Sequence, residues 1–109
     1  MHELAITDSI VSGVCERMVG QKVRRVTLEI GALTAVLPDA VRFCFDVCAQ
    51  GTSLEGAELE IVEIPARARC RSCSLEFALH DQVPLCACGA FDVDVLSGNE
   101  LLVRSVEVD

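Results

Sequence analysis

The segments Cys70-Arg71-Ser72-Cys73 and Cys86-Ala87-Cys88-Gly89, separated by twelve residues, decide how this chain is built. Each pair of thiols supplies two soft ligands from one turn. A fold that brings the pairs together makes a tetrahedral metal site, for which zinc is the default ion. The first pair has the usual two-residue spacer, whereas the second has one residue. Because four thiolates close the coordination sphere, the predicted zinc site is structural rather than catalytic.

Two other chemistries fit paired cysteines. A disulfide or a redox-active Cys70/Cys73 pair would use the same residues, but thiols stay reduced in the cytoplasm. The first residues show no basic segment leading into a long apolar run, so no signal peptide is expected and the predicted location is cytoplasmic.

His80 lies between the two pairs. It is a candidate hydrogen-bond partner of a zinc ligand, a replacement ligand if the second pair cannot reach, or an exposed loop residue.

The composition limits the classes of function. With 109 residues the chain makes one domain, or one small domain carrying an insertion. Its formal net charge of −8 argues against nucleic-acid binding, which needs clustered Lys and Arg in excess. No apolar segment approaches the length of a transmembrane helix. Because no Ser/His/Asp set and no glycine-rich phosphate loop is visible, we expect no enzymatic activity.

The apolar pattern predicts two helices. The first covers residues 3–19, where apolar side chains recur at a spacing of four. These are Ile6, Ile10, Val14 and Met18. The second starts at Pro38 and ends near Gly51. Its apolar face is formed by Val41, Cys44, Phe45 and Cys48. Cys44 and Cys48, like Cys15, are expected to pack as small apolar side chains rather than to bind metal.

Three further segments alternate apolar and polar residues in the manner of half-buried strands, namely 26–30, 58–64 and 100–108. The last resembles the first two rather than the cysteine region. The chain is therefore predicted to leave a small α/β body at Pro65 and to return to it near Asn99. Within the excursion we expect a short pairing of residues 75–79 with residues 91–95.

The predicted fold is α+β, with two helices on a three-stranded, largely antiparallel sheet. A small four-cysteine domain of the zinc-ribbon kind is inserted between two strands of that sheet. The predicted boundaries are residues 1–65 plus 98–109 for the α/β domain and residues 66–97 for the inserted domain.

Five short motifs and the cysteine pairs follow one another along the chain. The motifs are Met1-His2-Glu3-Leu4, Leu28-Glu29-Ile30-Gly31, Pro38-Asp39-Ala40-Val41-Arg42-Phe43, Leu54-Glu55-Gly56-Ala57-Glu58-Leu59 and Ser97-Gly98-Asn99-Glu100-Leu101. In this order they resemble the hydrogenase maturation nickel chaperones of the HypA/HybF type. The resemblance covers essentially the whole chain.

The resemblance implies a nickel-binding domain with an inserted zinc domain. It implies delivery of Ni(II) to the large subunit of [NiFe]-hydrogenase together with a GTPase partner and, in some members, to urease. The chain is expected to act as a monomer or a homodimer. The implied nickel ligands are Met1, His2 and Glu3, and the implied zinc ligands are Cys70, Cys73, Cys86 and Cys88. The family's second pair is usually Cys-x-x-Cys, so the shorter pair here puts the regularity of the zinc site in question.

His2 has the chemistry that nickel requires. In a square-planar field Ni(II) favours nitrogen donors, including deprotonated backbone amides. The terminal amine of Met1, the amide of His2 and its imidazole fill three positions through two fused chelate rings. The fourth position is left to Glu3, through its amide or its carboxylate, or to another group. A site that is open on one side is able to hand its metal on.

Two other classes of protein make different predictions. A zinc-ribbon interaction adaptor would never bind nickel and would tolerate the loss of His2. A thiol oxidoreductase using Cys70 and Cys73 requires a reactive thiolate and an isolated pair of sulfurs. A non-enzymatic nickel metallochaperone is the hypothesis that the resemblance favours.

Overall fold

The computed structural model describes residues 2–80 and 83–109. Within these residues, two helices and six strands follow one another. They are α1 (Glu3–Arg17), β1 (Val23–Gly31), α2 (Pro38–Ala49), β2 (Glu58–Ile64), β3 (Arg67–Cys70), β4 (Glu76–Ala78), β5 (Val93–Ser97) and β6 (Leu101–Val108). A short 3-10 helix, Ala32–Thr34, connects β1 to α2. No helix in this part of the chain is long and apolar enough to cross a membrane.

The first sheet has the strand order β2-β1-β6. β1 pairs with β6 in the antiparallel sense, with Val26 opposite Val106. It pairs with β2 in the parallel sense, with Val26 opposite Leu59. The sheet is therefore mixed and differs in this respect from the predicted, largely antiparallel one. The reason is that α2 connects β1 to β2. A helical connection of this kind returns the chain to the end of the sheet at which β1 began, so that β2 runs in the same direction as β1.

Both helices contribute to one apolar core with this sheet. The predicted face of α1 is confirmed, since Val11 and Val14 are buried while Ile6, Ile10 and Met18 pack against them. α2 buries Val41, Phe45 and Ala49. Cys15 and Cys48 pack against the same core, as expected of small apolar side chains. The predicted class, an α+β fold with two helices, is confirmed.

The second sheet has the order β4-β3-β5. Ala68 in β3 lies opposite Phe77 on one side and Val95 on the other. The predicted pairing of residues 75–79 with residues 91–95 is therefore wrong, because β3 lies between them. β3 was not predicted because its sequence, Arg-Ala-Arg-Cys, buries only small side chains, although its alternation of exposed arginine with buried Ala68 and Cys70 has the period of a strand.

The two sheets meet where residues 64–67 and 97–101 pass the end of β1. Gly98 accepts a hydrogen bond from the Leu33 N–H at 2.8 Å, and Glu100 accepts one from the Gly31 N–H at 2.6 Å. A Cβ atom on Gly31 would lie 2.1 Å from the Gly98 oxygen. Gly98 itself has φ +112°. The crossing of these backbones thus requires glycine at both positions.

We expect Gly31→Ala to lower the free energy of unfolding by about 3 kcal/mol, because backbone atoms on both sides must move to admit the methyl group. Gly13→Ala is the matched control, since a Cβ there meets nothing within 4 Å. That change in α1 is expected to raise stability by roughly 0.5–1 kcal/mol. Urea denaturation followed by circular dichroism measures both. A Gly31→Ala protein as stable as wild type would contradict this description of the crossing.

Candidate metal centres

Cys70 and Cys73 lie on a tight turn at the end of β3. The Ser74 N–H donates to the Cys70 carbonyl at 2.9 Å, and the Cys70 N–H donates to the Leu75 carbonyl at 2.8 Å. Ser74 has φ +66°, which lets the chain reverse directly after the second thiol. The turn holds both sulfurs on the same side of the backbone, as a two-residue spacer allows.

Cys86 and Cys88 lie on a second turn with a different construction. The Gly89 N–H donates to the Cys86 carbonyl at 2.9 Å, and the Cys86 N–H donates to the Ala90 carbonyl at 2.9 Å. Gly89 has φ +93°, a conformation that glycine adopts without strain. The one-residue spacer is thus accommodated by turning the chain at Gly89.

The four sulfur atoms form one cluster. The Sγ atoms of Cys70 and Cys88 are 3.6 Å apart, as are those of Cys73 and Cys86. All four ligand atoms lie within 4.8 Å of one another. Zinc–sulfur bonds of about 2.3 Å in a tetrahedron place sulfurs about 3.8 Å apart. The cluster has that size, and its sulfurs are too far apart for disulfides, whose S–S bond is about 2.05 Å. The four thiols therefore fit a zinc ion.

The pKa values of two cysteines in the cluster, Cys70 and Cys86, are shifted in opposite directions. A hydrogen bond from the backbone N–H of Cys73 is the largest effect on Cys70 and lowers its pKa to about 7. The backbone N–H of Cys88 lowers the pKa of Cys86, but burial and the neighbouring sulfurs outweigh it and raise that pKa to about 12. Without metal Cys86 thus holds its proton more strongly than Cys70, because neighbouring thiolates at this distance repel one another. A divalent cation removes that repulsion.

Arg71, in the first cysteine turn, forms ion pairs with two aspartates at the start of β5. Its guanidinium is 2.6 Å from a carboxylate oxygen of Asp94 and 3.2 Å from one of Asp92. These contacts hold the pKa of Asp94 below its usual value, chiefly through the hydrogen bond from Arg71. Because all three side chains are about half exposed or more, the pairs orient the turn rather than add much stability.

His80 lies apart from the sulfur cluster. Among the described residues, only the four cysteines come close enough together to bind one metal ion, and His80 is not part of that cluster. His80 is exposed and lines a shallow groove with Phe77, Leu79 and Leu85. Its role as a partner of a zinc ligand stays a prediction.

The start of α1 carries the predicted nickel ligands. Met1 lies outside the described residues. His2 is the residue that caps α1, and its carbonyl accepts a hydrogen bond from the Ile6 N–H at 3.1 Å. Its imidazole is exposed and makes no capping hydrogen bond. The first amides of an α-helix have no acceptor within the helix, so a metal bound there breaks no helical hydrogen bond.

Glu3 ties this end of α1 to α2. Its carboxylate Oε2 accepts a hydrogen bond from the Leu37 N–H at 3.0 Å. This hydrogen bond is the largest of the effects that lower the pKa of Glu3. Leu37 is the residue directly before α2. The Glu3 carboxylate therefore lies at the N-terminus of α2, and a helix N-terminus stabilises negative charge. No pattern in the sequence indicated this contact, because the two residues are 34 positions apart.

Known proteins are similar to this chain over essentially its whole length. A family model described as "Hydrogenase/urease nickel incorporation, metallochaperone, hypA" matches residues 1–108. The hydrogenase maturation factor HypA of Nostoc sp. is 54% identical over 109 residues, which is all of this chain and 96% of that protein. The HypA of Geotalea uraniireducens is 49% identical over 110 residues and is covered completely. The solution structure of the Ni metallochaperone HypA from Helicobacter pylori matches 99% of this chain and 97% of its own, with a TM-score of 0.65 at 23% identity, which supports the fold.

Proposed function

This chain belongs to the HypA family of hydrogenase and urease nickel-incorporation metallochaperones, and on that premise we propose that it binds Ni(II) at its N-terminus and delivers it for maturation of a [NiFe]-hydrogenase. The family consists of metal-carrying maturation factors rather than enzymes. The observation that carries the proposal is the position of His2, exposed at the start of α1 beside a fixed Glu3.

The proposed nickel ligands are the terminal amine of Met1, the amide and imidazole nitrogens of His2, and the amide nitrogen of Glu3. The Glu3 carboxylate already accepts the Leu37 N–H. We therefore assign it the role of fixing the position of the chain end, and we assign the fourth bond to the amide. Four nitrogen donors suit square-planar Ni(II). Two of the four come from His2, which is exposed, so an acceptor reaches the metal without the protein unfolding.

The proposed role of the cysteine cluster is structural. Cys70, Cys73, Cys86 and Cys88 would hold one Zn(II) in a closed four-thiolate shell, with no position left for a substrate. When bound, the ion supplies folding free energy to a region with few buried side chains. We assign residues 66–97 to this zinc domain, and residues 1–65 with 98–109 to the nickel domain.

The proposed partners are the GTPase of hydrogenase maturation and the nickel-free precursor of the hydrogenase large subunit. The family description also includes urease, whose accessory proteins are further candidates. The proposed site of action is the cytoplasm, where thiols stay reduced and available to bind zinc.

Nickel transfer tests the proposal. Nickel-loaded protein with a native N-terminus is mixed with the large-subunit precursor and the GTPase, and nickel in the re-isolated precursor is measured by mass spectrometry. We expect uptake well above that from the His2→Ala variant, whose uptake should equal that from the precursor and GTPase alone. Equal uptake with wild type and with His2→Ala would overturn the proposal.

A further inference from the structure

A groove of about 440 Å³ lies at the carboxyl ends of β1 and β2. These strands are parallel, and Gly31 at the end of one lies opposite Ile64 at the end of the other. The lining of the groove is almost entirely apolar and includes Ile30, Val36, Leu37, Pro38 and Pro65. In sheets with helical crossovers, the crevice beyond the carboxyl ends of parallel strands is the usual place for a ligand.

The groove adjoins the proposed nickel site. Leu37 forms part of its wall, and the Leu37 N–H is the group that binds the Glu3 carboxylate at 3.0 Å. His2 precedes Glu3 directly, so their Cα atoms are about 3.8 Å apart. The wall of the groove is thus separated from His2 by the Glu3 side chain and one residue of backbone.

One charged side chain, Glu63, lines the groove. Among residues 2–80 and 83–109 it has no ion-pair partner, whereas the nearby Asp39 is bound by Arg42 at 2.7 Å. A second, smaller groove of about 300 Å³ shares Leu37, Pro38 and Glu63 with the first and continues along α2. The second groove also contains the Asp39–Arg42 ion pair, so, among the described residues, the surface that is apolar apart from one unpaired carboxylate is the first groove.

We propose that this groove binds an extended segment of the nickel-accepting protein, with apolar side chains in the crevice and a lysine or arginine on Glu63. The inference rests on the proposed function, since it takes the nickel acceptor as the occupant. Ligand exchange requires the acceptor to come within bonding distance of the donated metal, and a segment bound in the groove is held about the length of the Glu3 side chain from the chain end, which its own side chains can span. A small polar metabolite fits poorly, because the crevice offers it one carboxylate and few other polar side chains.

The test is the dissociation constant between zinc-loaded, nickel-free protein and the nickel-free large-subunit precursor, measured by calorimetry with any tag placed at the C-terminus. We expect Glu63→Lys to weaken binding about tenfold or more, because it places a like charge against the basic residue. Glu63→Gln should weaken it less and reduce its dependence on salt. Glu60→Lys is the matched control: it changes the net charge equally, lies exposed on the same strand outside the groove, and should change affinity by no more than about twofold.

Two results would overturn the inference. They are precursor binding by Glu63→Lys that equals that of the wild-type protein, and an equal loss of binding with Glu60→Lys. The assay contains no nickel, so it stands apart from the proposed function. That function is tested by nickel titration of the wild-type protein, and Glu63→Lys is expected to bind nickel with wild-type affinity.

Discussion

Cys70→Ser is expected to lose its zinc and to unfold the second sheet while leaving the first sheet intact. β3, β4 and β5 contain four, three and five residues. Sheets of this size need more apolar burial than this one has. The side chains that it buries are small, namely Ala66, Ala68, Cys70 and Cys86. Binding of a structural zinc contributes on the order of 10 kcal/mol to the folding of such a module.

Zinc content by mass spectrometry and amide hydrogen exchange measure this effect. Protection should disappear from β3 and β5 in Cys70→Ser and persist in β1, whose core of Val26, Leu28 and Ile30 is independent of the cluster. Cys44→Ser is the control, because this thiol is half-buried on α2 and outside the cluster. It should retain full zinc. Full zinc or unchanged protection in Cys70→Ser would contradict a structural role for the four thiols.

His2→Ala, or any extension before Met1, is expected to abolish Ni(II) binding and leave zinc in place. The substitution removes the imidazole, and the extension replaces the terminal amine by a peptide bond, so each breaks a chelate ring. Nickel affinity of the wild-type protein should fall as pH is lowered, because protons compete for the amine and the imidazole. Calorimetric titration with Ni(II) measures all three effects.

His80→Ala is the matched control for the nickel experiment. It removes the other histidine of the chain, which lies in the region between the cysteine pairs. Nickel affinity should remain that of the wild-type protein. Equal affinity in tagged and untagged proteins would contradict the assignment of the metal to the chain end.

The local patterns of the sequence predict most of the two helices and of the first sheet, because each pattern depends on neighbouring residues. The α1 stripe and the bounds of β2 follow from periodicities of four and two. The direction of β2 relative to β1 does not, since alternation is the same in parallel and antiparallel strands. Here the parallel arrangement follows from the position of α2 in the chain.

Contacts between distant residues are what the sequence could not reveal. The cluster of four cysteines was predictable from the spacing of its two pairs, as two thiols on one turn constrain each other. The Glu3 to Leu37 hydrogen bond and the backbone crossing at Gly31 and Gly98 join segments more than thirty residues apart. Nothing in either segment alone indicates its partner. These contacts place the chain end beside α2 and position the second sheet at the end of β1.

The most direct measurement is the metal content of untagged protein before and after addition of Ni(II), with a brief chelator wash. The proposed function predicts one zinc per chain that resists the wash throughout. It also predicts one nickel that binds on addition, is removed by the chelator, and is absent from His2→Ala. Zinc without any nickel binding, or nickel retained by His2→Ala, would contradict it.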